Sequence, residues 1–116
     1  MNNRGKGIDG EAEAVKYLKS IGYTIRDVNK VSNAGEVDIV AMDGRIVVFV
    51  EVKFRSTLIF GTPAEAIGYY KQRRYINSAK IYIVSNKLAG YDIRFDVIEI
   101  LGDEINHIID AFRAKS

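Results

Sequence analysis

Apolar and polar positions divide the chain into seven elements. Residues 8–21 read as a helix, because Ala14, Val15, Leu18 and Ile21 recur at helical spacing and Gly22 follows where a left-handed cap belongs. Residues 23–28 alternate as a strand, and 29–34 form a polar loop. Residues 36–42 and 45–55 read as two strands around Asp43-Gly44, a pair that suits a two-residue type I′ hairpin turn. Thr62-Pro63-Ala64-Glu65 is a capping box with proline at the first helical position. The helix it starts is interrupted or bent at Gly68 and runs on from Tyr69 to Ser85, with Gln72, Ile76, Ala79 and Ile83 on one stripe. Residues 91–101 and 104–109 are the last strands, separated by Gly102-Asp103. The polar, glycine-rich residues 1–7 read as a mobile arm. One domain spans 1–116, and the order α-β-β-β-α-β-β predicts an α/β fold: a central mixed β-sheet flanked by helices on both sides.

The hairpin carries the candidate chemistry. With Asp43-Gly44 at its tip, Val40 faces Val47, Asp38 faces Phe49 and Glu36 faces Glu51. Alternation then sends Glu36, Asp38, Glu51 and Lys53 to one face, and Val37, Ile39, Ile46, Val48, Val50 and Val52 to an apolar face that must be core. Asp38 and Glu51 are diagonal neighbours with Cβ atoms roughly 7–8 Å apart, near enough to converge on one small cation. Val47 and Phe49 lead straight into Glu51, so the strand buries a carboxylate. Burial of a lone carboxylate costs several kcal/mol unless it is paired, protonated or bound to metal. A divalent-metal site answers that conflict; ion pairs Glu51–Lys53 and Asp38–Arg55 on an exposed face are the plainer alternative.

Neighbouring elements add to the site. Glu11 lies on the buried stripe of the first helix, and is read either as a first-turn acid favoured by the helix dipole or as a contributor to the metal site. On the second helix Lys71, Arg73 and Arg74 interleave with Tyr69, Tyr70 and Tyr75, a mixture that suits a phosphate backbone and bases, or else a solvated face with tyrosines partly in the core. Leu58, Ile59 and Phe60 sit on a loop that either contacts substrate or folds back on the core. His107 reads as a surface strand residue.

Composition narrows the ligand chemistry. The net charge of +2 leaves no whole-protein basic field, so any basic patch is local. With no cysteine and one histidine, thiolate and imidazole-rich metal sites are excluded within one chain, leaving oxygen ligands. No apolar run approaches membrane-spanning length and no secretory signal is visible, so no membrane partner is expected and the cytoplasm is the expected compartment.

Asp38, then Glu51-x-Lys53, is a skeleton that arises by chance in roughly one chain in three of this length. Its context is more specific. The arrangement resembles the PD-(D/E)XK, restriction-endonuclease-like superfamily, with the archaeal Holliday-junction resolvases among its members. More closely the chain resembles the YraN family of small predicted endonucleases. That likeness runs through Gly10-Glu11, Gly35-Glu36-Val37-Asp38, Val48-Phe49-Val50-Glu51-Val52-Lys53, Phe60-Gly61-Thr62-Pro63-Ala64-Glu65-Ala66, Lys71-Gln72-Arg73-Arg74, Arg94-Phe95-Asp96-Val97 and Ala111-Phe112. Val37 stands where the superfamily name has proline.

The resemblance implies a restriction-endonuclease-like core and a Mg²⁺-dependent (Mn²⁺ as substitute) endonuclease acting on DNA, branched or otherwise structured. It implies Asp38 and Glu51 as metal ligands with the Val52 carbonyl as a third, and Glu11 binding the ion directly or through water. Lys53 would orient the attacking water or stabilise the transition state, and Gln72 would position the phosphate. Glu36 is second in rank to Asp38, as a support to the ligands or as a partner of Arg55 or Lys53. Lys71, Arg73, Arg74, Arg55 and Tyr70 form the expected nucleic-acid surface. Junction resolution needs two active sites, hence a homodimer. A non-catalytic nucleic-acid- or protein-binding module on the same fold is the alternative reading.

Overall fold

Two stretches of apolar residues on β-strands, each facing a different helix, decide the architecture. The computed structural model describes residues 3–55 and 67–114, with side chains from residue 10 onward. The elements are α1 (Asn3–Ser20), β1 (Thr24–Ser32), β2 (Gly35–Asp43), β3 (Ile46–Phe54), α2 (Tyr69–Ser85), β4 (Asp92–Leu101) and β5 (Glu104–Phe112). They occur in the expected order and form a mixed sheet, β1-β2-β3-β4-β5. Neighbours are antiparallel except β3 and β4, which are parallel and joined through α2, the crossover a parallel pair requires.

Each helix covers one face. Ala14 and Leu18 of α1 pack on Ile39, Ala41, Val48, Val50, Ile98 and Ile100. Tyr75, Ile76, Ala79 and Tyr82 of α2 pack on Val40, Val47, Phe49, Phe95, Val97 and Phe112. The helix stripe expected at Gln72 and Ile83 is therefore rotated: both are partly exposed, and Tyr75, Ser78 and Tyr82 take the buried side with Ile76 and Ala79. Tyrosine has a large apolar body, and each of these two hydroxyls has a hydrogen-bond partner.

Several boundaries differ from the sequence pattern. α1 starts at Asn3, five residues before the start that the pattern gives it. Glycine in a helix costs only about 0.5–1 kcal/mol, which the rest of an eighteen-residue helix can offset. Further along α1, Gly10 is a flat spot against the Phe54 ring: a Cβ there would sit 1.5 Å from Phe54 Cζ. β1 continues through the expected loop to Ser32, absorbing an irregularity at Asn29, whose φ is +54°. Gly68 is the extended residue just before α2. The capping box at 62–65 and the loop apolar residues 58–60 lie outside the described residues. No helix among the described residues is long and apolar enough to cross a membrane.

The hairpin register also differs, by two residues. Asp43 pairs with Ile46, Val40 with Phe49 and Ile39 with Val50. The central turn residues are Gly44 and Arg45, and Gly44 has φ +60°. Glycine with positive φ at the first central position suits a type II′ turn, so glycine placement, rather than the Asp-Gly pair, sets the register. A shift of two preserves the alternation, and every hairpin side chain named above except Val37 stays on its expected face. It brings Asp38, instead of Glu36, level with Glu51.

His107 is not a surface residue. Its side chain is 4% exposed, and Nε2 lies 2.7 Å from Asp96 Oδ2. Its Nδ1 lies 3.0 Å from the Tyr17 hydroxyl, which ties β5 to α1. Asp96, fully buried, also accepts from Arg94 Nε (2.9 Å) and from the Asp110 backbone N–H (3.0 Å). Burial alone would raise the Asp96 carboxyl, but these donors hold it below its ordinary value. Arg94 reaches on to Asp43 Oδ2 at 2.9 Å. One carboxylate thus fastens α1, β2, β4 and β5 together. Asp96→Ala strips the half-buried Arg94 of its main partner and is expected to cost on the order of 3–5 kcal/mol in urea denaturation. A loss below about 1 kcal/mol would contradict this account.

Candidate functional site

The β2–β3 ladder ends at Ile39–Val50, although both strands continue. β2 stays with β1 as far as Ser32–Gly35, and β3 stays with β4 as far as Phe54–Ile100. The sheet therefore parts between residues 36–38 and 51–54. The parting twists β2 enough that Val37 joins Val40 under α2, against strict alternation and against its expected place on the opposite face.

Side chains take over the backbone groups the parted ladder releases. Val52 N–H donates to Asp38 Oδ2 at 2.8 Å. The Tyr75 hydroxyl sits between the strands, accepting from Asp38 N–H at 3.3 Å and donating to the Val50 carbonyl at 3.4 Å. Tyr75 is buried, and burial together with the Asp38 and Glu51 charges pushes its hydroxyl far above the ordinary phenol range. It therefore acts as a neutral wedge and is not a base-stacking surface.

Asp38 and Glu51 meet at this gap and line a cleft of about 330 Å³ with Gly35, Glu36, Lys71, Arg74 and Tyr75. Burial, then a hydrogen bond shared with Glu51, raises the Asp38 carboxyl to about 7. Glu51 is 3% exposed. Lys71 Nζ is 2.6 Å from Glu51 Oε2, yet among the described residues no group gives that oxygen a properly directed hydrogen bond. The ammonium compensates the charge of that oxygen without being aligned as a hydrogen-bond donor to it. Larger clefts of about 440 and 480 Å³ elsewhere have no buried carboxylate in their walls.

The expected site residues are divided by this geometry. Asp38, Glu51, Lys71 and Arg74 come together, with Glu36 exposed at the mouth. Lys53 is close enough to feel Glu51 and Lys71; burial first, then Arg55, lowers its pKa. Gln72 stays outside, its amide donating to the Ile67 carbonyl at 2.8 Å. Arg55 pairs with buried Glu99 at 2.8 Å, and so is not the partner of Asp38 or Glu36. α1 lies on the apolar face of the sheet and not across the charged one, because its Ala14–Leu18 stripe matches that apolar surface. Glu11 is nonetheless within reach of the Asp38 and Glu36 charges. Burial chiefly, and those charges, raise its carboxyl, against a hydrogen bond with Asn29. Among the described residues no three His, Asp or Glu side chains gather closely enough to hold a metal ion. Two carboxylates remain, and they suit an ion that keeps several of its waters. Arg73, Tyr69 and Tyr70 are exposed around the start of α2, Tyr69 at 66% and Tyr70 at 81%.

Two features are missing from the sequence pattern as read above: the buried stripe of α2 and the buried acid Glu99. Lys71, Tyr75, Ser78 and Tyr82 follow i, i+4, i+7, i+11, a stripe concealed because two of its members are tyrosine and one serine. It is Lys71, one residue before Gln72, that heads the buried side. Glu99 lies beside Lys53 in the β3–β4 register and is 1% exposed. Its signal was an acid inside the apolar run 97–101, the same conflict that drew notice to Glu51.

The raised Asp38 carboxyl has a consequence for stability. Between the unfolded value near 4 and the native value near 7 the folded chain holds a proton that the unfolded chain has released. This contribution is complete below about pH 4 and is lost as pH rises through about 7. Urea midpoints in EDTA should therefore fall from about pH 5 to about pH 8 in the wild type, and fall less in Asp38→Asn. Identical pH dependence in the two proteins would contradict the shared-proton geometry.

The chain has sequence relatives of closely similar length. The model of the uncharacterised protein family UPF0102 matches residues 10–100. A UPF0102 protein of Clostridioides difficile is 46% identical, over 97% of this chain and 100% of its own length. Another from Clostridium perfringens is 44% identical, over 96% of each chain, and one from Persephonella marina is 40% identical, over 92% of each. With a family model covering most of its length and relatives that match it nearly end to end, the chain belongs to the UPF0102 family, the YraN-like group its sequence resembles.

Proposed function

We propose that the protein is a metal-dependent endonuclease that hydrolyses DNA phosphodiester bonds, on branched or otherwise structured DNA. One observation carries the reading: buried Glu51 and partly buried Asp38 meet in a cleft whose other charged walls are basic apart from Glu36. The likeness to the PD-(D/E)XK superfamily supports the same reading, since Asp38 and the Glu51-Val52-Lys53 segment now adjoin across parted strands.

Asp38 and Glu51 would hold Mg²⁺ or Mn²⁺, hard ions that take oxygen ligands and need few of them from protein. Such an ion acidifies a bound water and offsets charge developing on phosphate. The remaining work belongs to the chain. Lys53 keeps a cation beside Glu51, placed to steady an attacking water or a phosphate oxygen. Lys71 and Arg74 line the wall along which the phosphates would lie. Arg73 widens that basic surface. The exposed rings of Tyr69 and Tyr70 suit stacking by unpaired bases, which structured DNA provides and an intact duplex does not.

A binding module without hydrolysis is the second reading. It is favoured by the position of Gln72 outside the cleft and by the gathering of two acids where more were expected. Single-stranded, duplex, flap and four-way DNA incubated with purified protein, with and without Mn²⁺, separate the two. The nuclease reading expects Mn²⁺-dependent cleavage that falls at least ~100-fold in Glu51→Ala while the fold is retained. Binding without cleavage, or cleavage equal in the variant, would reject it.

A further inference from the structure

We infer that Lys71 is a shared ammonium, held by Glu51 while the cleft lacks a metal ion and passed to a nucleic-acid phosphate when one arrives. On this account metal and polyanion bind cooperatively. The inference rests on the cation site proposed above and concerns its regulation.

Lys71 heads the buried stripe of α2, and its Nζ stands 2.6 Å from Glu51 Oε2. That oxygen is the unsatisfied atom of the carboxyl pair, so the ammonium occupies the direction from which a cation would be bound. A divalent ion on Glu51 and Asp38 cannot share that space with a positive charge, and repulsion drives the ammonium out. Lys71 can leave once the ion takes over its charge on Glu51, since its side chain is 44% exposed against 4% for Glu51. Its four-carbon stem lets the charge swing while the helix stays in place.

Where the ammonium goes is set by its surroundings. The cleft wall beside it carries Arg74, and Arg73 lies on the same turn of α2. No acid occupies the first turn of that helix. A displaced Lys71 thus enters a basic surface that only an anion can make comfortable. A bound phosphate backbone would draw Lys71 away from Glu51 and vacate the ion's place. The ion, in return, would free Lys71 for the phosphate. Binding free energies are reciprocal, so each ligand must raise the affinity for the other by the same factor.

The test is a linkage measurement on the full chain, read as binding. Mn²⁺ affinity is measured by calorimetry for wild type, Lys71→Met and Lys71→Arg, each with and without a short phosphorothioate oligonucleotide, after subtracting Mn²⁺ uptake by the oligonucleotide alone. The wild type should bind Mn²⁺ about fivefold or more tightly when the oligonucleotide is present. Lys71→Met should bind it more tightly than wild type without oligonucleotide, and should show little further gain with it. Lys71→Arg, which keeps the charge, should retain the coupling. Equal Mn²⁺ affinity in wild type and Lys71→Met, or undiminished coupling in the variant, would overturn the inference while leaving the cation site standing. Absence of Mn²⁺ binding in all three folded proteins would overturn the site itself, and this inference with it.

Discussion

Two strands that pair well and then separate impose the constraint on which the site depends. While β2 and β3 remain hydrogen-bonded, every side chain in the ladder except Asp43 is apolar. Past Ile39–Val50 the ladder ends, and backbone donors and acceptors need new partners at a place already covered by helix α2. Asp38 takes the Val52 N–H, and the Tyr75 hydroxyl takes the Asp38 N–H and Val50 carbonyl. The carboxyl that repairs the gap is therefore brought against Glu51. Burial first, then the hydrogen bond with Glu51 and its nearby charge, raises the Asp38 carboxyl to about 7.

The rest of the molecule holds this gap in shape. α2 wedges it with Tyr75 and closes it with Lys71. On the other face, α1 braces the sheet through Ala14 and Leu18, and is anchored by Tyr17 to the buried Asp96–His107 pair. Beside the gap, Glu99 binds Arg55, which keeps that guanidinium away from Glu51. Charges that a simple surface would scatter are sorted into two structural clusters, around Asp96 and Glu99, and one that is left incomplete. The incomplete one, with its unsatisfied Glu51 oxygen, is the natural place for a ligand.

Much of this was legible in residue order. Alternation assigned Asp38, Glu51 and Lys53 to one face, and a register shift of two could not undo that. The conflict between a run of Val and Phe and the acid that ends it was a true signal of burial. Other features were not legible, each for a physical reason. Gly44 could occupy either central position of the turn, and the backbone dihedral rather than the residue pair decided which. Gln72 looked like the head of α2's inner stripe because Ile76, Ala79 and Ile83 are apolar, whereas the sheet below accepted tyrosine bodies and rotated the helix to bury Tyr75 and Tyr82. His107 gave no hint of its partner, since Asp96 lies eleven residues away on another strand and only sheet pairing brings them together.

On the proposed reading the parted strands make one cation site from Asp38 and Glu51, and the ion displaces the proton that the raised Asp38 carboxyl holds. Calorimetric titration of Mn²⁺ at about pH 6, repeated in buffers of different ionisation enthalpy, counts the protons released as the ion binds. The account predicts one ion per chain with close to one proton released, and loss of both in Asp38→Asn. Binding with no proton released, or binding unchanged in that variant, would contradict it.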